Sequence, residues 1–312
     1  MPNRAGGGMD AESRILAPLY AEAMGARVLV SNVPGAGGIT GARAIASSTP
    51  DGRTLGLINV PGLLVAALTG TVAAPNPARD FTILGRLARS WHVWATGASS
   101  PLRTLEQVLE SARTRPLVFA INEVGSPNLV SIAVAGRLLG VAVEPVAGFA
   151  GTRNASLAAV RGEVDLVCFN FDTIADLIEA GELRPLLQIS SRPIAAHPAL
   201  AGVGCLGGSE GWARRRAGAR DEDAAAAEET ARVLVDVVAA GRVVVAPILS
   251  AGLESCLAGA VMEALRRPEL EGAGRSLDVA AAAEARADVR AAEARAPVLL
   301  PTVRAAVRAL RR

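Results

Sequence analysis

The chain has 312 residues, of which 51% are hydrophobic and 3% aromatic, and its formal net charge is +2. That length allows two lobes of ordinary domain size with aliphatic cores. The charge is too small to favour nucleic acid or an acidic membrane as a partner. The cysteines Cys168, Cys205 and Cys256 have neither metal-site nor redox spacing, and no metal is expected.

The first predicted element is a helix that follows a glycine turn at 5–10. Asp10 is predicted to cap its N-terminus, Leu16 and Leu19 belong to its apolar face, and Gly25 ends it. Residues 1–8 have no apolar core of the kind found in signal peptides.

A second glycine turn follows a short β-prone run, Val28–Val30. Pro34–Gly38 breaks this run, and glycine is the residue that tolerates positive φ there. A small-residue helix, Gly41–Ala46, comes next, and its first backbone N–H groups would form a seat for an anion. A dinucleotide fingerprint is an alternative interpretation: Asp51 lies at a suitable distance, but Thr40 occupies the last glycine position.

The next segments lead toward a second lobe. Thr54–Asn59 is predicted to be a strand. The uncharged run Thr54–Ala78 is interrupted by Pro61 and Pro75, and we interpret it as a buried strand plus loop instead of a membrane span. Ile83–Ala95 is predicted to be a long extended segment.

Strands and helices alternate in the following part. Thr104 and Gln107 predict a capping box for the helix Leu105–Arg113, and Pro127 predicts the start of a helix that runs to about Leu139. Further predicted elements are strands at Leu117–Ile121, Val141–Val146, 162–166, 182–187 and Arg242–Pro247. Helices are predicted after Thr152, at Thr173–Ala180, within 209–241, at Ala251–Arg267 and over most of 277–310. This alternation predicts mainly parallel sheets, in which ligands bind beyond the carboxyl ends of the strands.

Two motifs in a fixed order carry a family resemblance. The stretch 32–41 reads N-x-P-G-A-G-G-x-x-G, and 50–55 reads P-D-G-x-T-L. Together they resemble the solute-binding proteins of tripartite tricarboxylate transporters, the Bug receptor (TctC) family. The elements G-G-G-x-D at 6–10 and G-x-V-D-L at 162–166 extend the resemblance, which covers about residues 5–200 well and the remainder by pattern only.

The resemblance implies an α/β, two-lobed periplasmic-binding-protein-like fold of type II, with a ligand cleft between lobes. Lobe 1 would contain residues 1–94 and 242–312, lobe 2 residues 95–200, and 201–241 a return connection with a helical insertion. The family has a strand and usually a signal sequence before its first loop, so the N-terminus is expected to be truncated. The implied protein is a periplasmic monomer that closes on a small carboxylate and delivers it to a membrane permease.

The resemblance also implies the ligand contacts, which are backbone and hydroxyl groups of loops. The matching positions are Gly7, Gly8, Asp10, Gly125, Ser126, Gly151, Thr152, Asn170 and Thr173. Two positions depart from the family: Leu129 replaces a frequent histidine and Phe149 a frequent tyrosine. Both changes remove polar contacts, so the identity of the ligand does not carry over from a relative.

Other functions remain alternatives. A nucleotide- or NAD(P)-dependent enzyme would use the turn at 35–41, and a ligand-sensing module would serve a regulator instead of a transporter. Gly207–Gly211 fits G-x-S-x-G, but His92 and His197 both precede Ser209, against the order of an α/β-hydrolase. His92 is interpreted as a packed or hinge residue. The leading interpretation predicts no cofactor and no covalent chemistry.

Overall fold

The computed structural model describes residues 1–2, 5, 8–70, 73–122, 126–149, 151–194, 198–217, 221–271 and 278–309. The chain forms two compact units. Unit 1 contains Met1–Ser90 and Ala239–Arg295, and unit 2 contains Trp91–Val238 and Ala296–Arg312.

The strands are short and lie in two sheets. They are β1 (Gly56–Asn59), β2 (Thr82–Ala88), β3 (His92–Gly97), β4 (Leu117–Ala120), β5 (Val143–Val146), β6 (Leu166–Asn170), β7 (Leu183–Ile189), β8 (Arg242–Ala246) and β9 (Ala280–Ala281). The helices are α1 (Gly8–Met24), α2 (Ile39–Ala46), α3 (Val60–Thr69), α4 (Leu105–Ser111), α5 (Pro127–Leu139), α6 (Thr152–Val160), α7 (Ala175–Glu179), α8 (Trp212–Arg216), α9 (Asp221–Ala239), α10 (Ala251–Leu265), α11 (Pro268–Glu271), α12 (Ala282–Arg295) and α13 (Leu300–Ala309). None of the helices in the described ranges is long and apolar enough to cross a membrane.

Unit 1 is built on a four-stranded sheet with the order β1-β8-β2-β9. Its strand pairs are all antiparallel, with Gly56 opposite Val245 and Asn59 opposite Arg242. The prediction of a mainly parallel sheet is therefore wrong for this unit. The prediction assumed that strands consecutive in sequence are neighbours, whereas β8 returns from a distant part of the chain and inserts between β1 and β2.

The core of unit 1 lies between this sheet and two helices. Leu84 and Val244 from the sheet, Leu16 from α1 and Val261 from α10 belong to one buried cluster. Every residue of β2 is buried, because β2 packs against both α10 and α12. Full burial explains why β2 reads as a nearly continuous apolar run.

One arginine interrupts that apolar run. The Arg86 side chain is only 1% exposed, and it forms ion pairs with Asp278, Glu284 and Asp288. Arg89 pairs with Asp278 and Asp288 as well. Burial alone would lower the pKa of Arg86, but the hydrogen bonds that Arg86 donates to Asp278 and Glu284 outweigh this effect and raise the pKa. This network attaches the segment 278–288 to the sheet.

Unit 2 is built on a five-stranded sheet with the order β5-β4-β6-β3-β7. β5, β4 and β6 are parallel neighbours, whereas β3 runs antiparallel to both β6 and β7. The sheet is therefore mixed, and the predicted mainly parallel arrangement holds for three of its strands. β3 is the exception because it is the first strand after the chain leaves unit 1, and no crossover helix precedes it.

Unit 2 also contains segments that the sequence analysis placed elsewhere, namely 201–238 and 296–312. Both pack on α5: Arg216 at the end of α8 donates to the carbonyl oxygen of Leu139 at 3.2 Å, and Arg137 donates to Thr302 of α13 at 2.9 Å. The boundaries differ from the sequence-based ones because contacts distant in sequence determine them.

Several local predictions are confirmed. The capping box is complete, since Thr104 accepts from the backbone N–H of Gln107 and the Gln107 side chain accepts from the N–H of Thr104. Pro127 begins α5. Two predictions are wrong: Val28–Val30 is not a strand, and Val60–Thr69 is a helix where a loop was expected. At 31–33 the backbone hydrogen-bonds to Met1, through Ser31 and Val33.

Candidate functional site

The carboxyl ends of β5, β4 and β6 meet at one edge of the five-stranded sheet, which we call the carboxyl edge. Each strand is followed there by residues that the sequence analysis selected. Ser126 follows β4, Gly151 and Thr152 follow β5, and Asn170 is the last residue of β6. Parallel alignment of the three strands is what brings these distant sequence positions to a common edge.

Ser126 occupies the N-cap position of α5 and is buried. Its carbonyl oxygen accepts from the N–H of Leu129 at 3.1 Å, so the first turn of α5 is closed. A helix start of this kind presents backbone N–H groups and the positive end of the helix dipole. Gly125, the other predicted contact in this loop, lies outside the described residues.

Thr152 begins α6, and Gly151 precedes it with φ of +92°. Thr152 Oγ1 accepts a hydrogen bond from Asn122 Nδ2 at 3.3 Å. Since Asn122 follows β4, this bond joins the loop after β4 to the start of α6. The neighbouring Arg153 is ion-paired with Asp176 at 2.7 Å.

Asn170 and Thr173 form a tight local structure at the end of β6. Asn170 Oδ1 accepts from the N–H of Trp91 at 2.8 Å, and Thr173 Oγ1 donates to the carbonyl oxygen of Asn170 at 2.7 Å. Asn170 Nδ2 lies 3.5 Å from Asp172 Oδ2. These bonds anchor the first residue of unit 2 to the carboxyl edge.

His92 lies at the same edge because β3 runs antiparallel to β6 and pairs it with Asn170. Its Nδ1 is 2.7 Å from Ser131 Oγ of α5. Burial lowers the pKa of His92 to about 4, since the charged imidazolium would lose its hydration. The ring is therefore neutral at physiological pH, which agrees with its interpretation as a packed residue.

Of the positions predicted in unit 1, Gly7 lies outside the described residues and Gly8 is the first residue of α1. Asp10 lies inside the first turn of α1, so its prediction as the N-cap is wrong. Its carboxylate, in a residue only 3% exposed, accepts from Asn32 Nδ2 at 2.9 Å and from Arg14 Nε at 3.0 Å. Asp10 thus holds the start of the glycine motif at 32–41.

The glycine motif forms a tight turn before α2. Gly37 has φ of +67°, as expected. At Gly41 a Cβ atom would lie 2.7 Å from the carbonyl oxygen of Val33, so this position needs glycine for a close backbone approach. No strand precedes this turn in the described structure, and a dinucleotide fingerprint requires one. The turn therefore does not favour the dinucleotide interpretation.

The hydrolase interpretation finds no support either. Ser209 lies in a turn and not between a strand and a helix. His92 is buried against Ser131, and His197 lies outside the described residues. Within the described ranges, no cluster of histidine, cysteine and acidic residues could hold a metal ion.

The two departures from the family pattern are packing residues. Leu129 is buried in α5, and Phe149 packs against the buried cluster beneath β3 and β6. Apolar contacts thus replace polar ones at both positions.

Sequence reasoning missed Asn122, Asn128 and the pair His92–Ser131. Asn122 comes directly after a predicted strand, as Asn170 does, and that signal could have identified it. Asn128 and Ser131 are three residues apart on α5, but their burial on one face became visible only in the structure.

Comparison with known proteins gives the chain its class. A sequence model described as "Tripartite tricarboxylate transporter family receptor" matches residues 13–213. The match covers more than half of the chain, which therefore belongs to this family and confirms the resemblance seen in its motifs.

Curated proteins with similar sequences agree with this family assignment. BugT of Bordetella pertussis is 27% identical over 210 residues, which cover 66% of this chain and 64% of BugT. A UPF0065 protein of Pseudomonas sp. (strain P51) is 30% identical over 188 residues, which cover 60% of this chain and 55% of that protein. The chain thus matches between about half and two thirds of the length of these relatives.

Solved structures show a shared fold over nearly the whole chain. MatC from Rhodopseudomonas palustris with bound malate has a TM-score of 0.72 and 22% identity, with 98% of this chain and 96% of MatC covered. A second R. palustris protein, with adipate, has a TM-score of 0.70 and 22% identity, with 97% and 95% covered. The periplasmic binding protein BugD has a TM-score of 0.69 and 18% identity, with 94% and 93% covered. The α/β fold with two sheets is therefore that of periplasmic binding proteins.

Proposed function

We propose that the chain is a solute-binding receptor that captures a small organic carboxylate for a membrane permease of the tripartite tricarboxylate type. The observation that carries the proposal is the carboxyl edge of unit 2. Three parallel strands end there, and the polar side chains that follow them at 122, 126, 128, 152 and 170 are neutral.

Uncharged hydrogen-bond donors are suited to binding a carboxylate. A carboxylate loses its hydration when it binds, and hydrogen bonds from hydroxyls and backbone N–H groups at helix starts compensate that loss. The N-termini of α5 and α6 follow β4 and β5 at this edge, and Ser126 and Thr152 supply hydroxyls. Gly7, Gly8, Asp10, Gly125, Gly151, Asn170 and Thr173 remain proposed contacts.

Membership of the family supports the remaining parts of the proposal. Receptors of tripartite transporters work in the periplasm and deliver their ligand to permease subunits, and we propose both for this chain, as a monomer. The related MatC and the second R. palustris protein were solved with malate and adipate, both carboxylates. The proposed cycle of binding and release includes no covalent step.

A thermal-shift screen tests the proposal. The purified chain is heated with mono-, di- and tricarboxylates, amino acids, aromatic acids and NAD(P), each at several concentrations. A ligand that binds the native state at 100 times its Kd adds about 2.7 kcal/mol of stability, which raises the Tm by several degrees. Calorimetry then measures the affinity of each stabilising compound.

Stabilisation by one group of carboxylates supports the receptor function and defines its substrate class. Stabilisation by NAD(P) alone contradicts it. A response to none of the carboxylates, in a chain that melts cooperatively, contradicts it as well.

A further inference from the structure

Asn128 carries a buried amide nitrogen, Nδ2, that has no hydrogen-bond partner among the described residues. The residue is 4% exposed, and its Nδ2 group makes no hydrogen bond to any residue that the structure describes. A buried donor without a partner costs about 1–3 kcal/mol. Asparagine is also a weak helix former, so helix propensity does not favour it in α5.

Asn128 lies close to the carboxyl edge of the sheet. Residues three apart on a helix share a face, so Asn128 lies on the same face of α5 as Ser131. Ser131 contacts His92 at the start of β3, and β3 places His92 opposite Asn170 at the end of β6. Asn128 is one turn closer than Ser131 to the N-terminus of α5, where the proposed carboxylate seat lies.

Asn122, which precedes α5, has an unmatched acceptor, whereas the unmatched atom of Asn128 is a donor. Asn122 Oδ1 is buried and accepts no hydrogen bond from the described residues, while Asn122 Nδ2 is engaged by Thr152. Asn122 and Asn128 flank the same loop between β4 and α5. Among the described residues, the end of β4 is thus followed by an unmatched acceptor on Asn122, and the first turn of α5 contains an unmatched donor on Asn128.

A hydroxyl group has the polarity that both atoms require, because it donates one hydrogen bond and accepts others. A plain methylene would leave both amide atoms unpaired. Sites with buried polar groups discriminate strongly against analogues that lack the matching group, since the unpaired groups lose their hydration without compensation.

We infer that Asn122 and Asn128 are specificity-determining residues that recognise a hydroxyl group of the ligand, so that the preferred ligands are hydroxycarboxylates. This inference rests on the proposed carboxylate-binding function and narrows its substrate class.

The test compares matched pairs of acids that differ by one hydroxyl: malate with succinate, lactate with propionate, and citrate with tricarballylate. Calorimetry measures the Kd of each acid for the wild-type chain and for Asn128→Ala. We expect at least one hydroxylated acid to bind about tenfold more tightly than its partner, the scale of one or two hydrogen bonds. In Asn128→Ala that preference should fall to about twofold or less.

Thermal unfolding without ligand separates this role from a structural one. Because Asn128 Nδ2 makes no hydrogen bond within the described protein, Asn128→Ala should keep or raise the Tm while it lowers the preference. Asn154→Ala, which changes an exposed asparagine of α6, serves as the matched control and should change neither quantity. Asn122→Ala provides a second variant, and it should also reduce the preference.

The outcomes are distinct. If carboxylates bind but no hydroxylated member exceeds its partner, the inference is wrong and the receptor function stands. The inference is also wrong if Asn128→Ala keeps the full preference. If no carboxylate binds at all, the receptor function and the inference both fail.

Discussion

The two edges of the five-stranded sheet use polar residues in opposite ways. At the amino edge, where β4 and β6 begin, Asp165 receives two hydrogen bonds from Arg115, at 2.6 and 2.7 Å, and one from the N–H of Val118 at 2.8 Å. At the carboxyl edge the polar side chains at 122, 126, 128, 152 and 170 are amides and hydroxyls, the histidine is neutral, and two amide atoms have no partner among the described residues.

The polar groups of the amino edge are suited to stabilising the fold, whereas those of the carboxyl edge are suited to binding a ligand. The Asp165 carboxylate at the amino edge is matched by Arg115 and Val118, so it can stabilise the fold and offers little to a solute. Groups at the carboxyl edge are neutral and incompletely matched, which costs stability but leaves hydrogen-bonding capacity for a solute. The Arg86 cluster of unit 1 follows the pattern of the amino edge, since three carboxylates surround one buried arginine.

The largest expected effect on stability comes from the cluster of charges around Arg86. Arg86→Met removes a buried cation and leaves Asp278, Glu284 and Asp288 close together. We expect the free energy of unfolding to fall by about 3 kcal/mol, the scale for breaking a buried ion pair. Urea denaturation measures this, with the exposed Arg53→Met as control. A loss no larger than that of the control would show that the cluster does not hold unit 1 together.

A fall in pH should lower the stability of the protein through His92, which lies at the carboxyl edge. Its folded pKa of about 4 lies below the ordinary value of about 6.5, so the unfolded chain binds more protons between these pH values. Stability is therefore lost as pH falls from 6.5 toward 4, by about 3 kcal/mol for this group.

The variant His92→Gln can keep a hydrogen bond to Ser131 but does not titrate. Its unfolding free energy should fall less than that of the wild type between pH 7 and pH 4, measured by urea denaturation at each pH. Parallel curves for the two proteins would contradict the assignment of a buried neutral histidine.

At the amino edge, Asp165→Asn should lower the unfolding free energy by about 2 kcal/mol, the scale of hydrogen bonds to a charged group. Burial alone would raise the pKa of Asp165, but the hydrogen bonds from Arg115 and Val118 outweigh it and hold the pKa below its usual value. The stabilisation is thus complete at pH 7 and is lost as pH falls below about 4.

Asp176→Asn is the control, because its ion pair with Arg153 is exposed and surface pairs contribute little. Carboxylate affinity should be the same in Asp165→Asn and wild type. If Asp165→Asn lost carboxylate affinity but kept its stability, the amino edge would take part in binding and the comparison of the two edges would be wrong.

The smallest expected effect, and the one confined to binding, is that of Ser126→Ala. We expect the affinity for the best carboxylate of the screen to weaken by about 1–2 kcal/mol, since one hydrogen bond to a charged group is lost. Calorimetry measures it, with Ser99→Ala at an exposed position as control. Equal affinities for all three proteins would remove Ser126 from the binding site.

Much of the local structure could be predicted because its causes are local. The capping box at Thr104, the start of α5 at Pro127, and positive φ at Gly37 each depend on residues close in sequence. The family could be recognised for the same reason, since its motifs at 32–41 and 50–55 are contiguous. Of the candidate site, Ser126 and Thr152 lie beyond the ends of β4 and β5 and Asn170 is the last residue of β6, while their roles in binding stay predictions.

The sequence by itself therefore determined most of the elements of this protein, its family and the loops that follow its parallel strands. Tertiary structure decided the strand directions in unit 1, where β8 inserts between β1 and β2 from far along the chain. It also decided that Asp10 holds Asn32 instead of capping a helix, and that the amides of Asn122 and Asn128 are buried with unmatched atoms. The physical reason is that strand pairing, burial and the matching of polar groups depend on contacts between residues distant in sequence, which no local pattern encodes.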